Sequence, residues 1–502
     1  MKPLGGPDRE ITLGAPRPTA PGRGPSPMDD WTLAGLLYLA VELVGIASAV
    51  HVLLQGRTPQ GAIAWLFFLV TLPVAAVPLY WVFGPRRYEG YLGARLEGNA
   101  VFDPVAEQLR ASGERFFVDE PERPELLVAL ERLVRLPFLS HNHVELLVDG
   151  ERTFDAIVEA IEAAEQYVLV QFYIVRDDAI GRRLASALTA AAGRGVAVHF
   201  LFDGIGSATL DGAFLNRLRE AGVEVHAFAT ASRSHRLQLN FRNHRKVVVV
   251  DGTAAFTGGL NVGDEYLGGD PRLSPWRDTF VRVTGPAALA VQLSFLEDWH
   301  WATDELPDWR WQPVAAPDGS DRSVLVLPTG PADPLESCSL MFVGLIHRAR
   351  ERLWIATPYF VFDQQITSAL QLAALRGVDV RVLLPAVADH AATHYAGWSY
   401  FDEVLESGCR IFRFTDGFSH QKVVLVDSDL ALVGSANLDN RSMRLNFELG
   451  VLVESEAFAG EVEAMLEADL DRCIEAQVGE FADKPLTFRL LARLARLFAP
   501  IL

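Results

Sequence analysis

The chain has 502 residues, 50% of them hydrophobic and 22% charged, enough to bury more than one core, so two domains with an appendage are expected. A formal charge of −19 excludes a surface built to neutralise nucleic-acid phosphates, and any anionic ligand must meet a local basic patch. Cys338, Cys409 and Cys473 lie far apart with no Cys/His cluster, which excludes a disulfide framework or a zinc site.

Residues 1–30 are rich in Pro and Gly without apolar periodicity and are expected to be a disordered leader; Met28, just ahead of the first apolar run, is an alternative start. Two runs come next, Leu33 to Leu54 and Ala62 to Phe83, each near the roughly 20 residues that cross a bilayer as a helix. They predict a transmembrane helical hairpin over 31–85. A signal peptide would have a shorter apolar region and a cleavage site, whereas here a second span comes at once. Lys2, Arg9, Arg17 and Arg23 precede the first span, Arg86, Arg87 and Arg95 lie beyond the second, and the connecting loop holds only Arg57. The positive-inside rule therefore puts both ends of the hairpin, and the whole chain beyond it, in the cytoplasm. Glu42, inside the first span, is read as a protonated or helix-bonded carboxyl, with a functional role as the alternative. His51 is expected at the interface, and Pro73 and Pro78 are expected to kink the second helix.

After a charged connector (86–143) the pattern becomes α/β and repeats. Tyr167 to Tyr173 reads as a buried strand, Ile180 to Ala192 as a helix, and Val196 to Phe202, after an Arg-Gly turn, as a second strand. Leu353 to Phe360, Ile366 to Leu375 and Val378 to Leu384 restate that β-α-β order, again after an Arg-Gly turn. Such units occur in any α/β protein; the string of residues downstream of each is more specific.

The first unit leads to His244-Arg245-Lys246-Val247-Val248-Val249-Val250-Asp251, the second to His420-Gln421-Lys422-Val423-Val424-Leu425-Val426-Asp427. Both are HxKxxxxD. At the same offset beyond each Asp stand Gly258-Gly259-Leu260-Asn261 and Gly434-Ser435-Ala436-Asn437. In an extended chain His and Lys at i and i+2 share a face while the apolar run continues into the sheet. Gly or Ser allows close backbone approach, and the Asn amide can donate to a phosphoryl oxygen. Two such halves face to face surround one phosphate with two histidines, two lysines and two asparagines. That is a phosphoryl-transfer site needing no metal or cofactor, the lysines supplying the electrostatic role. A carboxylate partner is expected for each histidine within its own half: Asp278 of Trp276-Arg277-Asp278 comes after His244, and Glu448 of Asn446-Phe447-Glu448 after His420. Asp251 and Asp427 complete the catalytic motifs, yet both fall at a strand exit, where an Asp commonly makes a turn, so a structural role stands beside a catalytic one.

These paired motifs, from about Val144 to about Asp471, resemble the phospholipase D superfamily. Thr257 to Tyr266 (TGGLNVGDEY), Trp276 to Thr279 (WRDT), Thr357 to Phe360 (TPYF), Gly434 to Asp439 (GSANLD) with Arg441-Ser442, and Asn446 to Glu448 are similar to its bacterial cardiolipin synthase branch. So is the two-span hairpin, with Arg57-Thr58-Pro59 in its turn and Phe83-Gly84 at its end; Phe362 is a minor departure outside the site. The resemblance implies two tandem phospholipase D-like β-α-β sandwich halves, 144–315 and 320–475, forming one active site in a multi-pass protein of the cell membrane. It further implies that two phosphatidylglycerols are joined into cardiolipin with release of glycerol, through a phosphatidyl-histidine intermediate. His244 is then the nucleophile and His420 the acid/base, Lys246, Lys422, Asn261 and Asn437 neutralise the phosphoryl oxygens, and Asp278 and Glu448 support the histidines. A hydrolytic phospholipase D would share every one of these residues, and phosphatidylethanolamine could replace one substrate.

The stretch Arg233 to Lys246 holds His235, Arg236, Arg242 and Arg245 without an acid, a basic approach to His244 suited to an anionic lipid or else a solvated face. Residues 484–502 form a basic amphipathic tail, with Arg489, Arg493 and Arg496 on one side and Leu490, Leu491, Leu494, Leu497 and Phe498 on the other. It is expected on the membrane surface, with docking onto the protein core as the alternative.

Overall fold

Apolar runs punctuated by amphipathic helices give this chain two units, Met1–Arg86 and Arg87–Leu502. A computed structural model describes residues 27–55, 59–84, 105, 107–109, 111–118, 123–228 and 240–502. Most of the expected leader, Arg57 and Thr58 of the hairpin turn, and Arg233, His235 and Arg236 of the basic approach lie outside the described residues.

In the first unit Thr32–Leu54, within the helix Pro27–Gln55, is the one described helix long and apolar enough to cross a membrane, with mean hydropathy 2.0. The expected second span is not continuous. It is two shorter helices, Pro59–Thr71 and Pro73–Phe83, separated at Leu72 (φ −137°, ψ 55°). Pro73 causes the break: it has no N–H to donate backwards, its ring excludes the helical conformation before it, and it starts the next helix instead. Pro78 is carried inside that helix. Val52, Leu69, Ala76 and Tyr80 pack between the helices, while Leu36, Leu53, Leu54, Phe67 and Val70 face outward. His51 is held by the returning segment, its Nδ1 2.6 Å from the Tyr80 hydroxyl, and Trp81 Nε1 donates to Ser48 Oγ (3.0 Å).

In the second unit the first half contributes β1 (Leu139–Val148), β2 (Tyr167–Phe172), β3 (Ala197–Asp203), β4 (Glu224–Phe228), β5 (Arg242–Asn243), β6 (Val247–Val250), β7 (Ala254–Gly258), β8 (Trp276–Arg277) and β9 (Thr279–Thr284). The second half contributes β10 (Arg322–Thr329), β11 (Arg352–Ala356), β12 (Phe360–Val361), β13 (Asp379–Pro385), β14 (Arg410–Phe414), β15 (Phe418–Ser419), β16 (Val423–Val426), β17 (Leu430–Gly434), β18 (Leu438–Asp439), β19 (Asn446–Glu454) and β20 (Cys473–Glu475). The strand order is β1-β9-β7-β6-β2-β3-β4 in one half and β10-β19-β17-β16-β11-β13-β14 in the other, closed by β20. These are the same path. Antiparallel pairing of β1 with β10 joins them into one sheet, and β1 begins at Leu139, ahead of the expected boundary at Val144.

Each half keeps the expected β-α-β unit, parallel β2 and β3 across the helix Ala179–Gly193, and parallel β11 and β13 across Gln364–Leu375. Side-chain alternation explains why β6 is valine throughout. Val247 and Val249 face a core shared by both halves, whereas Val248 and Val250 face a core built from the first half with Phe418 as its one residue from the second. Both faces are therefore dry, as in a buried parallel sheet, and burying each such side chain stabilises the fold by about 1.5–3 kcal/mol.

Two short ladders cross between the halves. β5 pairs in parallel with β19 (Arg242↔Asn446, Asn243↔Phe447), and β8 with β15 (Trp276↔Phe418, Arg277↔Ser419). They position the site.

The tail helix Leu486–Arg496 docks through Phe488 and Ala492 beside the helix Ala391–Trp398, the Phe488 ring lying 5.8 Å from that of Trp398. Arg496, expected on a solvated side, donates instead to Glu403 (2.9 Å) and to the Ser399 carbonyl (3.2 Å). Leu490, Leu494, Leu497 and Phe498 stay 53%, 57%, 74% and 59% exposed. The core takes one face and the leucine face points outward.

Candidate active site

Each motif histidine leaves one of the cross-half ladders, and each motif lysine begins the adjoining buried run. His244 N–H donates to the Phe447 carbonyl (2.9 Å) and His420 N–H to the Arg277 carbonyl (2.8 Å). Alternation turns His and Lys to one side and the residue between them to the other. Arg245 is thus no part of a basic approach. It is 3% exposed, pairs with Asp298 on the helix Ala287–Thr303 (3.0 Å) and donates to the Glu448 carbonyl (3.1 Å). Gln421 does the same in the second half, donating to Asp469 on the helix Glu456–Leu470 (2.9 Å). Of the described basic residues in that stretch, Arg242 stays beside the site, near the Tyr173 phenol.

The carboxylates are exchanged between halves, which corrects the expected pairing. His244 Nδ1 donates to Glu448 Oε2 (2.9 Å), and His420 Nδ1 lies 2.8 Å from Asp278 Oδ2. The physical reason is the pair of ladders: β5 lays the approach to His244 along β19, which ends its register there beside Glu448, and β15 lays the approach to His420 along β8, which leads into Asp278. Neither half by itself supplies both members of a histidine–carboxylate pair.

The surroundings of the two acids differ. Glu448 accepts from Ser435 Oγ (2.6 Å), Ser442 Oγ (2.8 Å) and Asn446 Nδ2 (3.1 Å) as well as from His244. Burial alone would raise its pKa, but His244, Lys246 and the Ser435 hydrogen bond hold it at about 2. Asp278 accepts from the Thr279 N–H (2.8 Å) and weakly from Trp276 Nε1 (3.4 Å), and burial pushes it up to about 6 against the pull of Lys422. The Gly-Gly and Gly-Ser pairs account for part of this. A Cβ at position 259 would stand 2.1 Å from Asp278 Oδ1, so only glycine fits, whereas Ser435 meets its carboxylate with a hydroxyl. Sequence reasoning misses Ser435, Ser442 and Asn446 as donors to Glu448; the serine in one small pair, absent from the other, is the available signal.

Both lysines brace their own motif: Lys246 Nζ donates to the His244 carbonyl (2.6 Å), and Lys422 Nζ donates to the His420 carbonyl and lies 2.9 Å from His420 Nδ1. Burial lowers both, Lys422 to about 8. Burial also lowers His244 to about 4 despite Glu448, and burial with the help of Lys422 lowers His420 well below its ordinary value. His244 and Lys422 both act electrostatically on the residues opposite, so the two motifs face one centre. With Glu448 ionised, His244 is neutral, protonated on Nδ1, and its Nε2 lone pair is free.

Asn261 is oriented by the Ile174 N–H (3.1 Å) and donates to the Tyr266 hydroxyl (3.1 Å); Asn437 Nδ2 donates to Asp439 (3.0 Å). Asp251 and Asp427 are far from this centre, separated from their histidines by roughly 20 Å of extended chain. Asp251 accepts the N–H groups of Glu165, Gln166 and Tyr167 (2.8–2.9 Å). Asp427 accepts those of Arg350, Glu351 and Arg352 and pairs with Arg348 (3.0 Å). Both sit at φ 51°, where an Asp makes a tight turn. Tyr173, 5.0 Å from the His244 ring, and Tyr359, 6.5 Å from that of His420, also flank the centre. Among the described residues no group of three or more His, Cys, Asp or Glu side chains could hold a metal ion.

Fold and site together define a protein of two tandem halves that bring two HxK motifs and their exchanged carboxylates into one site. Residues 157–274 and 342–470 match the family model described as cardiolipin synthase, PLD-like domain, and residues 43–85 match one described as phospholipase D-nuclease N-terminal. Cardiolipin synthase A of Pseudomonas aeruginosa is 48% identical over 485 residues, covering 95% of this chain and 98% of that one. Its namesake from Pseudomonas fluorescens is 46% identical over 478 residues, covering 93% and 98%. The crystal structure of phosphatidylserine synthase from Haemophilus influenzae Rd KW20 shares the fold, with a TM-score of 0.57 at 18% identity over 76% of this chain and all of that one. The chain belongs to the cardiolipin synthase family of phospholipase D-like enzymes.

Proposed function

We propose that this enzyme transfers a phosphatidyl group between two phosphatidylglycerol molecules, giving cardiolipin and glycerol. The observation that carries the reading is the exchanged pair of contacts, His244 Nδ1 to Glu448 and His420 Nδ1 to Asp278, which engages the Nδ1 of each ring and leaves Nε2 for the chemistry. His244 Nε2 attacks phosphorus, the bond to the glycerol oxygen breaks, and His420 Nε2 gives that oxygen its proton. The bound phosphodiester anion favours the protonated form of His420 before this step. In the second step His420 takes the proton of the terminal hydroxyl of another phosphatidylglycerol, whose oxygen displaces His244 from phosphorus. Protons balance over the cycle. Lys246, Lys422, Asn261 and Asn437 neutralise the equatorial oxygens, since preorganised charge supplies most of the stabilisation in phosphoryl transfer. Asp251 and Asp427 hold the turns that set β6 and β16 in place. Incubating purified enzyme with labelled phosphatidylglycerol should give cardiolipin and free glycerol; phosphatidic acid as the main product would mean hydrolysis instead.

The membrane arrangement is part of the same reading. Pro27–Gln55 and the broken return Pro59–Phe83 form a hairpin with both ends cytoplasmic, and the catalytic unit lies in the cytoplasm of a multi-pass inner-membrane protein. The outward leucines of the tail helix contact the bilayer, with Arg493 beside them for anionic headgroups. A reporter after Leu502 should be protected inside the cell, and one in the Gln55 to Gln60 turn should be accessible from outside.

A further inference from the structure

The two sides of the site differ in their outer charges, although each holds a buried lysine and a carboxylate at its histidine. Beside His244, Arg242 and Arg441 both act on the Tyr173 phenol, and Lys246 Nζ lies 5.5 Å from the Tyr173 ring. Beside His420, the Tyr359 hydroxyl donates to Asp389 Oδ2, and His390 Nε2 lies 3.8 Å from that same oxygen. Tyr359, Asp389, His390, Thr393, His394 and Arg413 line an open cleft, the Arg413 guanidinium being paired with Glu480 (2.9 Å). Tyr359 is its inner wall, set edge-on to His420 with ring centroids 6.5 Å apart. Asp389 is 17% exposed, and its charge reaches both His420 and Lys422.

We propose that this cavity is the alcohol subsite, holding the glycerol headgroup of the lipid whose oxygen exchanges a proton with His420. The inference rests on the transferase reading. A carboxylate repels a phosphate but accepts hydrogen bonds from neutral vicinal hydroxyls, and Thr393 and the two imidazoles add further polar groups around them. The Tyr359 ring supplies an apolar face for the carbon backbone of a polyol. Phosphate charge is drawn instead to the Arg242 and Arg441 side, next to His244. The donor therefore binds with phosphorus between the histidines and its glycerol towards Asp389, which puts the leaving oxygen on the side of His420. The incoming phosphatidylglycerol uses the same cavity once glycerol has left.

The test is glycerolysis, the reverse reaction, in which cardiolipin and free glycerol give two phosphatidylglycerols. Full-length enzyme is assayed in mixed micelles while glycerol is varied. Asp389→Asn removes the charge with little change of shape, and Thr393→Phe fills the cavity from another side; both are checked for an unchanged melting transition. Each should raise the KM for glycerol about tenfold or more, as expected for loss of a hydrogen bond to a charged group. Each should also divert the phosphatidyl group towards water, increasing the ratio of phosphatidic acid to phosphatidylglycerol. An unchanged glycerol KM in both folded variants, with or without a fall in kcat, overturns the subsite while leaving the transferase reading intact. If the unmodified enzyme does not use glycerol and releases only phosphatidic acid, the transferase reading fails and the subsite fails with it.

Discussion

His244 and Glu448 stand 204 residues apart in the chain and belong to different halves, yet His244 Nδ1 donates to Glu448 Oε2 across 2.9 Å. The acid is fully buried, is held ionised by His244, Lys246 and Ser435, and accepts further from Ser442 and Asn446. His420 and Asp278 repeat the relationship in the opposite sense. A histidine and the group that fixes its tautomer are thereby supplied by separate copies of the repeat, so the chemistry depends on the seam between them.

Exchange of partners makes a prediction about which acid belongs to which step. With a phosphatidyl nitrophenol donor, whose leaving group needs no acid, labelled adduct should accumulate on His420→Ala and also on Asp278→Asn, because release of the phosphatidyl group from His244 lacks its base. His244→Ala should carry none, and Glu448→Gln should form adduct roughly 10²–10⁴-fold more slowly than the unmodified enzyme. Pairing within each half would interchange the behaviour of the two carboxylate variants.

Asp251→Ala and Asp427→Ala should separate stability from turnover. Each removes a carboxylate that accepts three backbone N–H groups. The expected cost is about 1–3 kcal/mol per variant, read by denaturation, for the loss of charge-assisted hydrogen bonds to exposed or partly buried donors. The kcat per folded molecule should stay within about twofold of the unmodified enzyme. A loss of several orders of magnitude in a folded variant would give these aspartates a chemical role.

Acid should unfold the catalytic unit through the His244–Glu448 pair. His244 has a folded pKa of about 4 against an ordinary 6.5, and Glu448 about 2 against 4.5. Both are depressed, so in each case the unfolded chain binds its proton first as pH falls. The stability is present in full above pH 6.5; the His244 share is lost between 6.5 and about 4, and the Glu448 share between 4.5 and about 2. Each share is of order 3 kcal/mol. Glu448→Gln should flatten the lower part of the stability–pH curve, and a curve parallel to that of the unmodified enzyme would contradict the assignment.

The outward face of the tail should matter for bilayer substrate and little else. Leu490→Glu with Leu494→Glu changes two exposed side chains and leaves Ala492, which faces the core, untouched. Turnover of phosphatidylglycerol in vesicles should fall about tenfold or more, since apolar contact worth roughly 1.5–3 kcal/mol per leucine is replaced by charge. Short-chain phosphatidylglycerol below its micelle concentration should be used nearly as before. An equal loss on both substrates would assign the helix a folding role.

What could be read from the sequence alone was whatever depends on local spacing. Period-two alternation puts His and Lys of each motif on one face, and the repeated offset to Asn261 and Asn437 announces two equivalent halves, because strand geometry is fixed by the backbone over a few residues. The same rule turned Arg245 away from the site, although its charge alone suggested the opposite. Local spacing has no bearing on which copy of a repeat completes the other. Only the ladders β5·β19 and β8·β15 gave His244 to Glu448 and His420 to Asp278, since two similar halves permit pairing within or between copies and the choice rests on long-range packing. The tail shows the same division: its amphipathic period is legible from Phe488 onwards, but contact with the helix Ala391–Trp398 decided that Phe488 and Ala492 turn inward and the leucines outward. A helical period defines two faces, and the free energy of burying one of them against a neighbour selects between them.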